Sequence, residues 1–408
     1  MINLPHILQE TELLTQQFIH AKKSLYLVGG IVRDLLLERD TTDSVDIDLT
    51  TNALPEEIKE IVAPIADNLW LSGEKFGTIG IHINERVYEI TTHRAESYDS
   101  NSRKPDVVYS ADISEDLSRR DFTINAMAIS LPAGQLIDPF GGQKDLEQGV
   151  LRTPLTPAVS FSDDPLRMLR AARFIANYKL DPVPDLVTAI STLGSRFNIV
   201  SAERILGELD KLLQAPSPAR GLQLLYDTGL LHIFLPEVSP NRFVHMEKLP
   251  VNPTLRIAAL LAQTSDVEIE RRLRALRYPK QRISVIQRIT NGVNSILTDP
   301  SAEPDYRRWY YQIGECREES YLIAQTLGDK AVSIWQSMET TRVHLGDELD
   351  DFSLPLNGDE IMELLGIEQG QIVGEAVRYL EEHRFDNGPF SKVEAHTLLD
   401  VWWAARKT

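Results

Sequence analysis

Residues 24–37 read SLYLVGGIVRDLLL, and residues 45–51 read VDIDLTT. SLYLV has the apolar run of a short strand, stopped by Gly29-Gly30, after which residues 31–39 resume a helical spacing. Glycines at such a turn let backbone N–H groups approach a phosphate, and the helix N-terminus behind them favours negative charge. Arg33 and Asp34 fall on that helix. Taken alone, the double glycine is also what an ordinary strand-to-helix turn uses. VDIDLT alternates as a strand does, so Asp46 and Asp48, two residues apart, point to one face. Such a pair can hold Mg²⁺, which takes oxygen ligands and leaves room for substrate phosphates. Two ions on the pair would activate an attacking hydroxyl and steady a leaving pyrophosphate. A solvated strand face would show the same two aspartates.

Outward from this stretch the first 145 residues read as mixed α/β. Residues 6–22 have amphipathic helical spacing, and Pro55 suits the start of a helix at 55–62. TIGIHI (78–83) and VYEITT (87–92) read as a hairpin joined by Asn84-Glu85-Arg86. Residues 94–112 are polar and read as a loop with the character of a lever, and TINAMAIS (123–130) reads as a strand. Beyond about residue 155, 3.6-residue periodicity dominates at 164–177, 202–214, 218–230, 253–262, 280–296 and 359–383. Pro216-Ser217-Pro218 and LTDPSAEPD (297–305) are candidate boundaries. The predicted organisation is an α/β head followed by an all-α remainder.

The 408 residues suffice for two or more cores, and 25% charged with 42% hydrophobic residues is ordinary globular composition. The single cysteine, Cys316, excludes an intramolecular disulfide and fits a reducing compartment. No signal peptide and no apolar stretch of roughly 18 residues is seen, so no membrane is expected and a cytoplasmic location follows. The net charge of −18 argues against a nucleic-acid partner, but the arginines are clustered. Arg119-Arg120 are adjacent, and Arg167, Arg170 and Arg173 are three apart. A basic cleft on an acidic body meets both observations.

Three more segments carry chemistry. RRDFTINA (119–126) places Arg120, Asp121 and Asn125 before an apolar run; arginine pairs bidentately with phosphate, and aspartate accepts from ribose hydroxyls. A surface ion-pair cluster would look similar. In DDPLRMLRAARF (163–174), Asp164 and Arg167 are three apart and are expected on one helix face. Cytosine and adenine each offer an exocyclic amine beside a ring-nitrogen acceptor, which Asp164 and Arg167 could read. Uracil and guanine would set a carbonyl against Asp164, a mismatch of about 1–3 kcal/mol in a dry pocket. Arg170 and Arg173 continue the stripe toward a triphosphate. A plain surface salt bridge is the competing reading of the pair. ERILGE (203–208) is read as structural, bracing helices beneath the site.

The order and wording of these segments, with DPFGGQKDLEQGVLR (138–152), resemble the class II tRNA nucleotidyltransferase and bacterial poly(A) polymerase family across the first half of the chain. The resemblance implies a polymerase-β-type nucleotidyltransferase head at 1–150, a helical neck with a base-selecting motif at 151–215, a helical body at 216–300 and a tail contacting tRNA at 301–408. It implies metal ligation and catalysis by Asp46 and Asp48, with Mg²⁺. It places nucleotide binding on Gly29, Gly30, Arg33, Asp34, Arg120, Asp121, Asn125, Asp164, Arg167, Arg170 and Arg173, and marks Glu89 as a third candidate acid. The substrates implied are ATP, CTP and tRNA, with C, C and A added to the tRNA 3′ end without a nucleic-acid template.

Addition of CC only or A only, and poly(A) synthesis, are the alternatives. The full segment 94–112 resembles that of members able to add A. The acidic chain and its ending WWAARKT resemble the tRNA enzymes more than the poly(A) polymerases. Where relatives with phosphohydrolase activity carry His-Asp after a Leu-Leu pair, this chain has Ala262-Gln263, so that activity is not expected.

Overall fold

The computed structural model describes residues 4–39, 46–71, 77–84, 86–97 and 106–407. The chain divides into two compact units, Met1–Pro236 and Glu237–Thr408.

The first unit opens with α1 (Leu4–Glu10) and α2 (Glu12–His20). The single helix expected at 6–22 is thus two. They part at Thr11, whose hydroxyl turns back to the Ile7 carbonyl at 2.8 Å. β1 (Leu25–Val28) leads through Gly29 into α3 (Gly30–Leu36), and β2 (Asp46–Thr51) is followed by α4 (Pro55–Val62). β3 (Asn68–Trp70), β4 (Thr78–Ile83) and β5 (Arg86–Thr92) complete one side of a sheet ordered β3-β4-β5-β2-β1, which β8 (Ala128–Leu131) and β9 (Leu136–Ile137) extend past β1. The β2–β5 pairing is parallel and aligns Asp48 with Glu89.

Alternation along β1 sends its side chains to two cores. Leu25 and Leu27 join Phe18, Val32 and Ile58 on one face. Tyr26 and Val28 meet Leu117 and Ala128 on the other.

Two expectations fail locally. Residues 94–112 are not simply loop: β6 (Arg94–Ser97) and β7 (Asp106–Tyr109) form an antiparallel pair, followed by α5 (Ile113–Ser118). Four-residue strands of mixed charge are too short for an alternation pattern to declare itself. The lever character expected here bears on 98–105, which lie outside the described residues. TINAMAIS is not wholly strand either. Residues Thr123–Asn125 make a 3₁₀ turn before β8, because the Asp121 carboxylate draws in the Phe122 N–H and the Asn125 amide, each at 2.9 Å.

α6 (Gly142–Glu147) and the short parallel pair β10 (Val150–Leu151) and β11 (Asp181–Pro182) lie either side of α7 (Pro157–Asp163) and α8 (Leu166–Tyr178) in the sequence. α9 (Pro184–Leu193), α10 (Ala202–Leu213), α11 (Pro218–Asp227) and α12 (Leu231–Phe234) finish the unit, with α10 and α11 packed on α8.

The second unit is helical throughout its described elements: α13 (Pro253–Leu261), α14 (Asp266–Ala275), α15 (Lys280–Ile296), α16 (Glu303–Ile313), α17 (Arg317–Ala324), α18 (Asp329–Leu345), α19 (Gly358–Leu365), α20 (Gln371–Asn387) and α21 (Lys392–Lys407). The continuous pattern at 359–383 breaks after Leu365, where Gly366 takes the left-handed conformation (φ 63°) that caps α19. The mixed α/β head and all-α remainder match the expected fold class.

Candidate nucleotide cleft

The local backbone explains how the cleft begins. Gly29 has φ 73°, a conformation costly for a side chain, and a Cβ there would come within 2.9 Å of Arg120 Nη1 and 3.8 Å of Asp48 Oδ2. Glycine therefore lets an arginine and a carboxylate close on the turn that starts α3. On β2, Ile47 and Leu49 are buried in the core while Asp48 is exposed on the opposite face. Asp46 begins the same strand, and its side chain lies outside the described residues.

A cleft of about 530 Å³ opens at this point, and Gly29, Gly30 and Asp48 line it. Its charged lining consists of Arg33, Arg94, Arg119, Arg120, Arg167, Arg170, Arg173 and Arg204 against Asp48, Asp121 and Asp164. Among the described residues, eight cations thus face three anions in a chain of net charge −18. The basic cleft on an acidic body exists.

Its arginines are held from behind. Arg33 donates to Asp34 through Nε (3.1 Å) and Nη2 (2.9 Å) and to Asn125 Oδ1 through Nη1 (2.6 Å). It also stacks 4.4 Å from the centre of the Tyr178 ring. Asn125 in turn donates to Asp121, which accepts Arg170 Nε at 2.9 Å and Nη2 at 2.5 Å. Arg170 reaches on to Glu208 (3.2 Å), which also pairs with Arg173 at 2.7 Å. Burial opposes the charge on Asp121, but Arg170 and the Asn125 amide outweigh it and hold the carboxyl below its usual range. Burial likewise works against the charge of Arg170, and Asp121 with Glu208 raises it nonetheless.

The expected base-reading pair is present but differently built. Asp164 does not share a helix face with Arg167. It lies between α7 and α8 in an extended conformation (φ −138°, ψ 99°), its Oδ1 accepting the Leu166 N–H at 3.1 Å and its Oδ2 accepting Arg204 Nη2 at 2.7 Å. Pro165 disfavours helical geometry at Asp164, which explains the break. Arg167 donates to Ser160 Oγ (2.9 Å) and to the Arg119 carbonyl (2.5 Å). The plain Asp164–Arg167 salt bridge is therefore not what forms. Both residues face the cleft.

Gly29, Gly30, Arg33, Asp48, Arg120, Asp121, Asn125, Asp164, Arg167, Arg170 and Arg173 all line one cavity. Asp34 stands behind Arg33, outside the lining, and Glu89 is exposed opposite Asp48 without lining the cleft. Glu208 braces α8 as expected of the ERILGE segment, but Arg204 of the same segment joins the site. Arg94, Phe174 and fully buried Asp116 were not singled out in the sequence. Asp116 had a signal, lying three and four residues before Arg119 and Arg120.

Carboxylate oxygens beside an arginine-lined cleft are a hard donor set suited to a divalent cation. Among the described residues, no group of three acidic, His or Cys side chains forms a closed metal site.

Residues 25–152 match the poly(A) polymerase head domain, and residues 180–241 match the family described as a probable RNA- and SrmB-binding site of polymerase A. The fold is that of a nucleotidyltransferase, a class that typically works with divalent metal ions. The chain is 32% identical over 390 residues to the CCA-adding enzyme of Streptococcus gordonii, covering 93% of each. It superposes on the Bacillus stearothermophilus CCA-adding enzyme in complex with CTP with a TM-score of 0.73, 27% identity and 98% of each chain covered. The Thermotoga maritima CCA-adding enzyme complexed with tRNA shares the fold at 23% identity, with a TM-score of 0.65 over 97% of this chain and 95% of that one. This chain belongs to the CCA-adding enzyme family.

Proposed function

We propose that the protein adds C, C and A to the 3′ end of tRNA from CTP and ATP, releasing pyrophosphate at each step and using no nucleic-acid template. The observation that carries this is the meeting of Asp164 and Arg167 in the same cleft as Asp48 and the Gly29 turn. A base-edge reader and a phosphate site lining one cavity suit a nucleoside triphosphate.

In this reading the RNA 3′-hydroxyl attacks the α-phosphorus, and the bond to the β,γ-pyrophosphate breaks. Arg120, Arg170 and Arg173 bind the triphosphate, and Asp121 with Asn125 orients ribose and arginine together. Asp34 holds Arg33 toward the phosphates. Asp46 and Asp48 would hold Mg²⁺, which when bound would lower the pKa of the attacking hydroxyl and offset the charge of the leaving group. Asp164 spends one lone pair on the Leu166 N–H and one on Arg204, leaving acceptor capacity for the amine of cytosine or adenine. Arg167 donates to the neighbouring ring nitrogen.

Residues 1–150 act as catalytic head, 151–215 as neck, 216–300 as body and 301–408 as a tRNA-contacting tail. Among the described residues no helix is long and apolar enough to cross a membrane, and a cytoplasmic site of action completes the reading.

The test is to incubate the protein with tRNA ending at the discriminator base, with each triphosphate alone and with CTP and ATP together. Growth by two residues with CTP and by three with both is expected. Growth by A alone on tRNA already ending in CC, arrest at CC, or an open-ended A tract would each replace complete CCA addition with that narrower or different activity.

A further inference from the structure

Asp116 lies on α5 with no exposed surface and does not line the cleft. Its carboxylate gathers donors from two separate segments. Oδ1 accepts Arg119 Nε (3.2 Å), Arg119 Nη2 (3.1 Å) and the Arg94 N–H (3.3 Å), while Oδ2 accepts Arg120 Nη2 at 3.2 Å. The other guanidinium nitrogen of Arg120, Nη1, closes over Gly29. The Arg119 backbone carbonyl accepts Arg167 Nη2. Arg94 opens β6, the first strand of the separate hairpin.

One buried carboxylate therefore stands behind the phosphate turn, the base-reading arginine and the root of a hairpin. Packing of α5 does not require a charge there, since Leu117 and Ile113 already seat it against Val28, Ala126 and Ala128. Burial opposes ionisation of Asp116, but Arg120 and Arg119 outweigh it and keep the carboxyl below its usual range.

We propose that Asp116 is a positioning residue for nucleotide binding: it fixes Arg120 over the Gly29 turn and, through the Arg119 backbone, sets where Arg167 meets the base. The inference rests on the nucleotide-binding reading of the cleft. Arginine side chains lose rotamer freedom when a ligand fixes them, and a carboxylate that has already fixed them removes that cost from binding.

The test compares Asp116→Asn, Arg120→Ala and the double variant by steady-state kinetics of CTP and ATP addition to tRNA. Asp116→Asn should raise KM for both nucleotides about tenfold, the scale of one lost charge-assisted hydrogen-bond partner, with KM for tRNA unmoved. Added to Arg120→Ala, it should raise nucleotide KM no further than the change conveyed through Arg167, so the two effects fall short of multiplying. A purely structural role would lower the melting temperature and active fraction and leave nucleotide KM at its wild-type value. Folded Asp116→Asn with unchanged nucleotide KM, or effects that multiply fully in the double variant, overturns the inference while the cleft reading stands. Arg120→Ala with unchanged nucleotide KM overturns the cleft reading itself, and the inference with it. Should Asp116→Asn fail to fold, Asp116→Glu keeps the charge and displaces it by one methylene. Its nucleotide KM should rise about threefold through misplacement of the arginines, and a wild-type KM would overturn the proposal.

Discussion

Arg170 in the first unit and Arg307 in the second are anchored alike and left in different surroundings. Each is held by two carboxylates, Arg170 by Asp121 and Glu208, Arg307 by Glu303 and Glu348. Arg307 is 6% exposed, and its remaining terminal nitrogen donates to the Phe385 carbonyl at 3.1 Å, tying α16 to α20. Arg170 keeps 30% of its side chain exposed, and that portion faces the cleft. Acids around an arginine can therefore close it into a structural clamp or hold it for a ligand. What separates the two cases is whether protein closes over the guanidinium, as the Phe385 carbonyl does over Arg307, or leaves it open to a cavity. Among the described residues Arg170 shares its cavity with seven more arginines, several of them held by acids such as Asp34, Asp116 and Glu208 that stand behind the lining.

The contrast breaks most sharply if catalysis and stability are lost at the wrong places. Asp48→Ala should cost about 10³-fold or more in nucleotide addition, the several kcal/mol expected of a lost metal ligand, with the unfolding midpoint unchanged. Arg307→Met should do the reverse. It breaks a buried ion-paired network and should cost about 3 kcal/mol of stability in the second unit while turnover per folded molecule is retained. Denaturant unfolding beside single-turnover rates checks both, and an Arg307→Met protein that is stable but inactive would erase the distinction.

A smaller effect sharpens the role of the cleft. Arg167→Ala and Asp164→Ala should each lower CTP and ATP use, and Asp164→Ala should also raise relative UTP or GTP incorporation by roughly tenfold, since it removes the group that repels their carbonyls. Relative kcat/KM for the four triphosphates on folded variants measures this. An unchanged order of preference in both would reduce the pair to scaffolding.

The smallest effect is on pH dependence. The folded Asp121 carboxyl titrates below its ordinary value of 3.8, so its charge supports folding above that pH, and the support is lost as pH falls from there through the folded value. Asp121→Asn should be less stable than wild type at pH 7 by about 1–3 kcal/mol, with the gap narrowing below pH 3.8. Unfolding midpoints at neutral and acid pH test the sign, and a gap that widens in acid would contradict it.

Much of this protein is set by local chemistry alone. The βα turn at Gly29-Gly30, the strand that carries Asp48 on its exposed face, the hairpin of β4 and β5 and the helical second half follow from residue spacing, because period and turn chemistry act over a few residues. The same locality explains the misses. Thr11 and Gly366 each end a helix inside a continuous apolar pattern, and the hydrogen bonds around Asp121 turn a stretch whose composition suits a strand.

The partners of charged side chains lay beyond such reading. Asp164 and Arg167 are neighbours in the sequence, yet one pairs with Arg204, 40 positions away, and the other with the Arg119 carbonyl, 48 positions away. Which of the acids would be buried behind the arginines, and which left facing the cleft, depended on how α5, α8 and α10 pack. Charge–charge contacts of that range are decided by burial and by the approach of distant helices, and only the tertiary structure supplies either.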